Sequence, residues 1–325
     1  QGVGGDDFDI GPDFDLGPDG AGDLIRQFRI RAMVWVFHDD LHHVHAVLVA
    51  GGEDNLEFIA QTGDAARGEY VLNMAGCVAC HTVAKDGEFL AGGRELKTDF
   101  GSFFTPNITP DRETGIGDWN DEDFVRALRE GKSPTGGHYY PTFPYTSYAR
   151  MTEQDMLDLK AYLDTVPAVR NPVPDHDLPF PFGIRASMFG WKLLFFDDTP
   201  FARDPNQSAA WNRGAYIVNG PGHCGECHTP RNLLGVVDSD RPLAGNANGP
   251  DGDAVPNITP GPGGIGDWSA DDIVSFLEIG ITPDSDFVGG AMTDVVQEST
   301  SKLTADDLKA IATYLTSLPP IADAR

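Results

Sequence analysis

Cys77-Val78-Ala79-Cys80-His81 and Cys224-Gly225-Glu226-Cys227-His228 are two copies of one pattern, C-x-x-C-H, and together they use all four cysteines of the chain. Two thiols three positions apart, followed at once by an imidazole, can join the two vinyl groups of a haem while the histidine takes the iron. Taken alone the pattern is shared with other chemistry, because C-x-x-C also serves redox dithiols and zinc ribbons. A dithiol needs no following histidine. A zinc ribbon pairs two knuckles, whereas here a long stretch separates them.

That stretch is itself repeated. Gly68-Glu69-Tyr70-Val71-Leu72 precedes the first motif much as Gly214-Ala215-Tyr216-Ile217-Val218 precedes the second. Pro106-Asn107-Ile108-Thr109-Pro110 returns as Pro256-Asn257-Ile258-Thr259-Pro260, and Gly115-Ile116-Gly117-Asp118-Trp119 as Gly264-Ile265-Gly266-Asp267-Trp268. The copies lie 147 residues apart at the first cysteine, 150 at Asn-Ile-Thr, 149 at Gly-Ile-Gly and 152 at the final tyrosine. Near-constant offsets mean duplication of one unit with a few inserted residues. Each copy then holds its own cofactor, and covalent haem fits both copies best.

Helices frame each motif. Residues 64–72 are mostly good helix formers leading to Cys77. Asn120 caps a helix with acids in its first turn and an apolar stripe of Phe124, Val125 and Leu128, and Gly131 stops it. Thr152 with Asp155 opens another, reaching Tyr162. Ser269 with Asp272, and Thr304 with Asp307, repeat those two starts.

At 325 residues the chain is long enough for two domains, and 38 Gly with 24 Pro make them loop-rich. A net charge of −27 argues against nucleic acid and anionic membrane surfaces as direct partners. It suits solubility, and it suits steering toward a basic redox partner. No run of eighteen apolar residues occurs; residues 30–52 come nearest and are broken by Asp39-Asp40 and four histidines. The chain starts at Gln1 without an initiator Met, which leaves a cleaved leader, an absent anchor and a fragment all open.

Four regions follow: an acidic N-terminal segment of unassigned role over 1–60, a first unit over 61–170, a linker over 171–206 and a second unit over 207–325. The N-terminal segment is expected to be irregular, with a hexapeptide repeat, Asp7-Phe8-Asp9-Ile10-Gly11-Pro12 then Asp13-Phe14-Asp15-Leu16-Gly17-Pro18. His38, His42 and His45 share a helix face if that stretch is helical, but incidental histidines are the plainer reading. The linker is Pro-rich, then strongly apolar from Met188 to Phe196; packing between the units is its expected use, and docking to a partner comes second.

His81 and His228 are the proximal iron ligands on this reading. The sixth ligand separates electron transfer from catalysis, since a methionine closes the iron and an open position permits peroxide or oxygen chemistry. Only six methionines exist. Met33 and Met188 lie outside the units, Met74 sits on the attachment side, and Met156 falls among core positions. Elimination leaves Met151 in the first unit, with His138 as its rival, and Met292 in the second. Met292 is read as a loop residue. The two are 141 residues apart, short of the repeat offset, and Met151 aligns with Leu303. Trp119 and Trp268 are candidate donors to the haem as well as packing groups, and Asn107 and Asn257 are expected in the pocket wall.

The two C-x-x-C-H motifs, Pro106 to Thr109, Gly115 to Trp119, His138-Tyr139-Tyr140-Pro141, Phe143-Pro144-Tyr145 with Ser147-Tyr148, and Gly190 to Phe196 together carry a resemblance. From about residue 61 onward the chain resembles dihaem cytochrome c proteins related to the cytochrome subunits of bacterial membrane-bound alcohol and gluconate dehydrogenases. It departs from them in having two haem motifs where those subunits typically have three, and Phe143 where they tend to have methionine. The resemblance implies a mostly α chain of two tandem class I cytochrome c domains, each with a covalent haem c held by Cys77 and Cys80 or by Cys224 and Cys227. It further implies thioethers instead of disulfides, His/Met ligation, a periplasmic location and electron transfer without catalysis. The expected partners are a periplasmic or membrane-bound dehydrogenase, or a quinol-linked donor, and an oxidase or other cytochrome. Membrane association is expected only through a partner or a missing anchor. The competing functions are a dihaem peroxidase and a haem-bearing docking subunit of a membrane-bound dehydrogenase.

Overall fold

Short polar side chains write the helix starts of this chain, and a computed structural model, describing residues 46–51, 55–60, 62–249 and 252–325, shows where they lead. The chain divides into two compact units, residues 1–62 and 63–325. Within the first, β1 (Ala46–Gly51) pairs antiparallel with β2 (Asn55–Ala60), Ala46 opposite Ala60. A hairpin therefore stands in part of the segment expected to be irregular. The acidic hexapeptides and His38, His42 and His45 lie outside the described residues.

In the second unit, the Asp64 carboxylate accepts the backbone N–H groups of Ala66 and Arg67 and opens α1 (Ala65–Met74). The first motif is itself one helical turn, α2 (Cys77–His81). A small hairpin of β3 (Glu95–Thr98) and β4 (Gly101–Phe104) follows where loops were expected. Asn120 caps α3 (Asp121–Glu130) through the Asp123 N–H, and Gly131 ends it at a φ of 59°. The short α4 (Tyr145–Tyr148) leads to α5 (Glu153–Leu163), capped by Thr152.

The linker contains a helix, α6 (Ser187–Phe195), and its apolar residues do not pack as expected. Only Lys192 of that helix is buried, whereas Leu193 and Leu194 are 76% and 72% exposed. The Lys192 ammonium donates to the Glu130 and Gly131 carbonyls at 2.6 Å each and lies over the Tyr145 ring, 4.3 Å from its centre. A cation at the C-terminal end of α3 is favourably placed against the helix dipole, and it anchors α6 by its polar side. The Trp191 indole N–H adds a bond to the Leu234 carbonyl, 2.9 Å.

After the linker the sequence of elements recurs. Ser208 caps α7 (Ala209–Asn219), the second motif forms α8 (Gly225–His228), and a full capping box of Ser269 and Asp272 opens α9 (Ala270–Ile279), which stops at Gly280. Then come α10 (Ala291–Glu298), a 3₁₀ turn over Thr300–Lys302, and α11 (Ala305–Ser317), capped by Thr304. The first helix of each half crosses the last: α1 packs on α5 and α7 on α11. Both crossings need glycine. A Cβ on Gly68 would lie 1.9 Å from the Asp158 carbonyl oxygen, and one on Gly214 would lie 2.0 Å from that of Ala310. Among the described residues no helix is long and apolar enough to cross a membrane.

Candidate haem sites

The geometry starts with the two histidines. Nδ1 of His81 lies 2.8 Å from the Pro106 carbonyl oxygen, and Nδ1 of His228 lies 2.7 Å from that of Pro256. A carbonyl only accepts, so each Nδ1 carries the proton and each Nε2 keeps its lone pair for a metal. Burial holds both imidazoles below the ordinary histidine range, with the carbonyl bond opposing, so both are neutral at pH 7.

The thiols are set up in the same way. Burial pushes Cys77 and Cys224 up to about 12 and Cys227 to about 11, and it raises Cys80. Reactive dithiols and thiolate metal sites need the opposite shift. No group of three or more His, Cys, Asp or Glu among the described residues is arranged to hold a bare metal ion. Unpaired thiols beside an imidazole with a free Nε2 fit covalent haem.

The surrounding frame is duplicated bond for bond. The His81 carbonyl accepts from Gly92 N–H at 2.7 Å, and that of His228 accepts from Gly245 N–H at 2.8 Å. Leu90 N–H donates to the Thr82 hydroxyl and Leu243 N–H to that of Thr229, both at 3.0 Å. Leu90 and Leu243 have φ of 60° and 61°, a left-handed backbone that a branched side chain adopts only when its surroundings impose it. Nothing in the local sequence announces these two leucines; only their repetition in the structure does.

Asn107 and Asn257 are almost wholly buried and work one step behind the histidines. The Asn107 amide donates to the Val169 carbonyl at 2.7 Å and accepts from Thr109, and Asn257 does the same with Ile321 and Thr259. They clamp the loops whose Pro106 and Pro256 carbonyls orient the imidazoles. Trp119 and Trp268 are partly buried against the core, with Trp268 edge-on to Phe276.

The methionines separate. Met292 is the second residue of α10, in its first helical turn and not in the preceding loop, and is partly buried. Met151 is fully enclosed, 0% exposed, directly before the Thr152 cap. Met156 is enclosed within α5, and Met74 ends α1 with its sulfur 3.6 Å from the Arg213 guanidinium.

Each motif meets the other half across the junction. Glu226, inside the second motif, accepts from the Thr146 and Ser147 hydroxyls of the first half, each at 2.6 Å, and pairs with Arg231. Burial pushes its carboxyl up, but Arg231 and the two hydroxyls more than offset this and hold it low. Reciprocally, α10 lies against α2, where Arg94 donates to the Ala79 carbonyl and to Asp294 at 2.7 Å. His223 Nε2 and the Tyr148 hydroxyl both donate to the Ala75 carbonyl, at 3.3 and 3.0 Å. Cys227 feels the Cys80 thiol, which adds, after burial and Glu226, to the rise of its pKa.

The cytochrome c family model matches residues 65–167. A diheme cytochrome c-type protein of Cereibacter sphaeroides is 48% identical over 268 residues, covering 81% of this chain and 89% of that protein. The fructose dehydrogenase cytochrome subunit of Gluconobacter japonicus is 42% identical over 260 residues, 79% of this chain and 53% of that one. The cytochrome c subunit of a quinone alcohol dehydrogenase of Gluconobacter oxydans is 40% identical over 279 residues, 82% of this chain and 58% of that one. The chain thus spans little more than half the length of the two dehydrogenase subunits.

Proposed function

We propose a role for a chain that belongs to the dihaem cytochrome c family, with the cytochrome subunits of bacterial alcohol and fructose dehydrogenases: it is a two-haem electron relay. It has two tandem class I domains. Cys77 and Cys80 would hold one haem c with His81 as an iron ligand, and Cys224 and Cys227 the other with His228. Met292 would supply a sulfur ligand to the second. When bound, each haem stores and releases one electron between ferric and ferrous iron.

One observation carries this reading: the two C-x-x-C-H turns, far apart in sequence, each pack against the other half, the second through Glu226 on Thr146 and Ser147 and the first through α10. The chain's own residues hold each imidazole neutral and aimed. Electrons come from a dehydrogenase or quinol-linked donor and leave to a downstream oxidase or cytochrome. The chain is the carrier and does no substrate chemistry itself. The exposed apolar face of α6, with Phe189, Leu193 and Leu194, supports protein docking of this kind. A periplasmic location belongs to the same reading, because haem is attached outside the cytoplasm in such families.

A pyridine haemochrome assay on the purified holoprotein is expected to return two haems per chain, and a spectroelectrochemical titration two one-electron steps. One haem or none would defeat the proposal. Replacing Met292 by Ala is expected to lower one of the two potentials and leave the other in place.

A further inference from the structure

The sixth position of the first iron is where the halves part company. In the first half Tyr139 N–H donates to the Gly131 carbonyl at 2.8 Å, and Lys132 bridges His138. In the second, Val288 N–H donates to the Gly280 carbonyl at 2.7 Å, and Ile281 bridges Phe287. All four pairings share the 149-residue offset. Four residues beyond Tyr139 comes Phe143, and four beyond Val288 comes Met292. Both are partly buried side chains on the rim of the core, Phe143 just before, and Met292 in the first turn of, the helix that meets the other half.

Met151 belongs to a different register. It directly precedes the Thr152 cap, as Leu303 directly precedes the Thr304 cap, and both side chains are buried. A sulfur that binds iron must present surface to the pocket holding the macrocycle. Cys77, Cys80, His81, Phe143 and Met292 all present some, whereas Met151 presents none, at 0% exposed. Its place is that of a core leucine, filled by a methionine. The His138 ring stands edge-on to Phe189 of α6 with its Nδ1 buried and without a partner, and ligation through its other nitrogen would leave no carbon monoxide uptake in the test below.

We propose that the first haem site has no methionine on its sixth side: Phe143 stands where Met292 stands in the second, and the first site is therefore a binding site for a small exogenous iron ligand such as carbon monoxide or nitric oxide. This rests on the reading that both motifs carry haem. Binding forms one bond, from the ligand to ferrous iron, and moves no electron out of the molecule. Phe143 supplies an apolar wall without a donor atom, which suits a neutral diatomic better than an anion.

The test uses the holoprotein after the haem count has returned two; a lower count would fail the underlying reading before this proposal is reached. The methionine-to-iron charge-transfer band of the oxidised protein is expected at the strength of one haem, and the reduced protein is expected to bind one carbon monoxide per chain. F143M is expected to double the band and abolish carbon monoxide binding. M151L is expected to change neither. A band for two haems, carbon monoxide uptake of zero or two, or loss of band strength in M151L would overturn the assignment. M151L and the unaltered protein decide the matter even where F143M does not fold.

Discussion

At the scale of single residues the molecule repeats itself with its partners exchanged. Tyr70 of the first half donates to Asp307 of the second at 2.6 Å and accepts from Thr304 N–H. Tyr216 of the second donates to Asp155 of the first and accepts from Thr152 N–H. Each acceptor also holds an arginine of its own half, Arg67 on Asp155 and Arg213 on Asp307. The two halves are thus joined by a pseudo-two-fold contact, residue for residue. Hydrogen bonds from tyrosine to a carboxylate of this kind are worth about 1.5–3 kcal/mol each. Y70F and Y216F are each expected to lower unfolding free energy by about that amount in denaturant titration, and the double variant to depart from additivity, because Arg213 pairs with Asp307 and lies 5.6 Å from the centre of the Tyr216 ring. The sequence already showed Tyr70 and Tyr216 as matched positions. It did not show that each reaches the other's half, because a hydroxyl's partner lies across the fold and leaves no trace in local spacing.

At the scale of elements, caps were legible and crossings were not. Asn120, Thr152, Ser269 and Thr304 cap the helices that their side chains announce, because a cap bonds within its own first turn. The α1–α5 and α7–α11 crossings hang instead on Gly68 and Gly214, which read locally as mere weak points in a helix. G68A and G214A are each expected to destabilise by about 2 kcal/mol or more, since the new methyl meets backbone that cannot rotate away; thermal melts of the holoprotein will show it. Linker helix α6, which bonds to both halves, was legible only in part for a related reason. An apolar run predicts burial on average, but the deepest contact on this helix is made by Lys192, whose pKa burial lowers to about 8. The two carbonyls at the end of α3 that hold it are more than sixty residues away.

At the scale of the whole molecule, the junction between halves is built on carboxylates whose pKa values lie below their ordinary ranges. Burial raises Asp307, but the hydrogen bonds from Arg213 and Tyr70 win, and Glu226 is likewise held low by Arg231, Ser147 and Thr146. A carboxylate with a lowered folded pKa contributes stability that is complete above its unfolded value and is lost as pH falls. With ordinary values of 3.8 and 4.5, the junction is expected to hold above about pH 5 and to loosen below about pH 4. Acid titration followed by near-ultraviolet circular dichroism is expected to show that loss, and D307N to flatten it. By itself the sequence determined the duplication, the two C-x-x-C-H motifs with their histidines and the helix caps, because each is encoded by neighbours a few positions apart or by a constant offset. Only the tertiary structure decided that Pro106 and Pro256 aim the imidazoles, that each motif sits against the other half, and that Met151 fills a leucine's place in the core. Those facts depend on which surfaces meet and which side chains face a pocket, and residues 25 to 237 positions apart settle both.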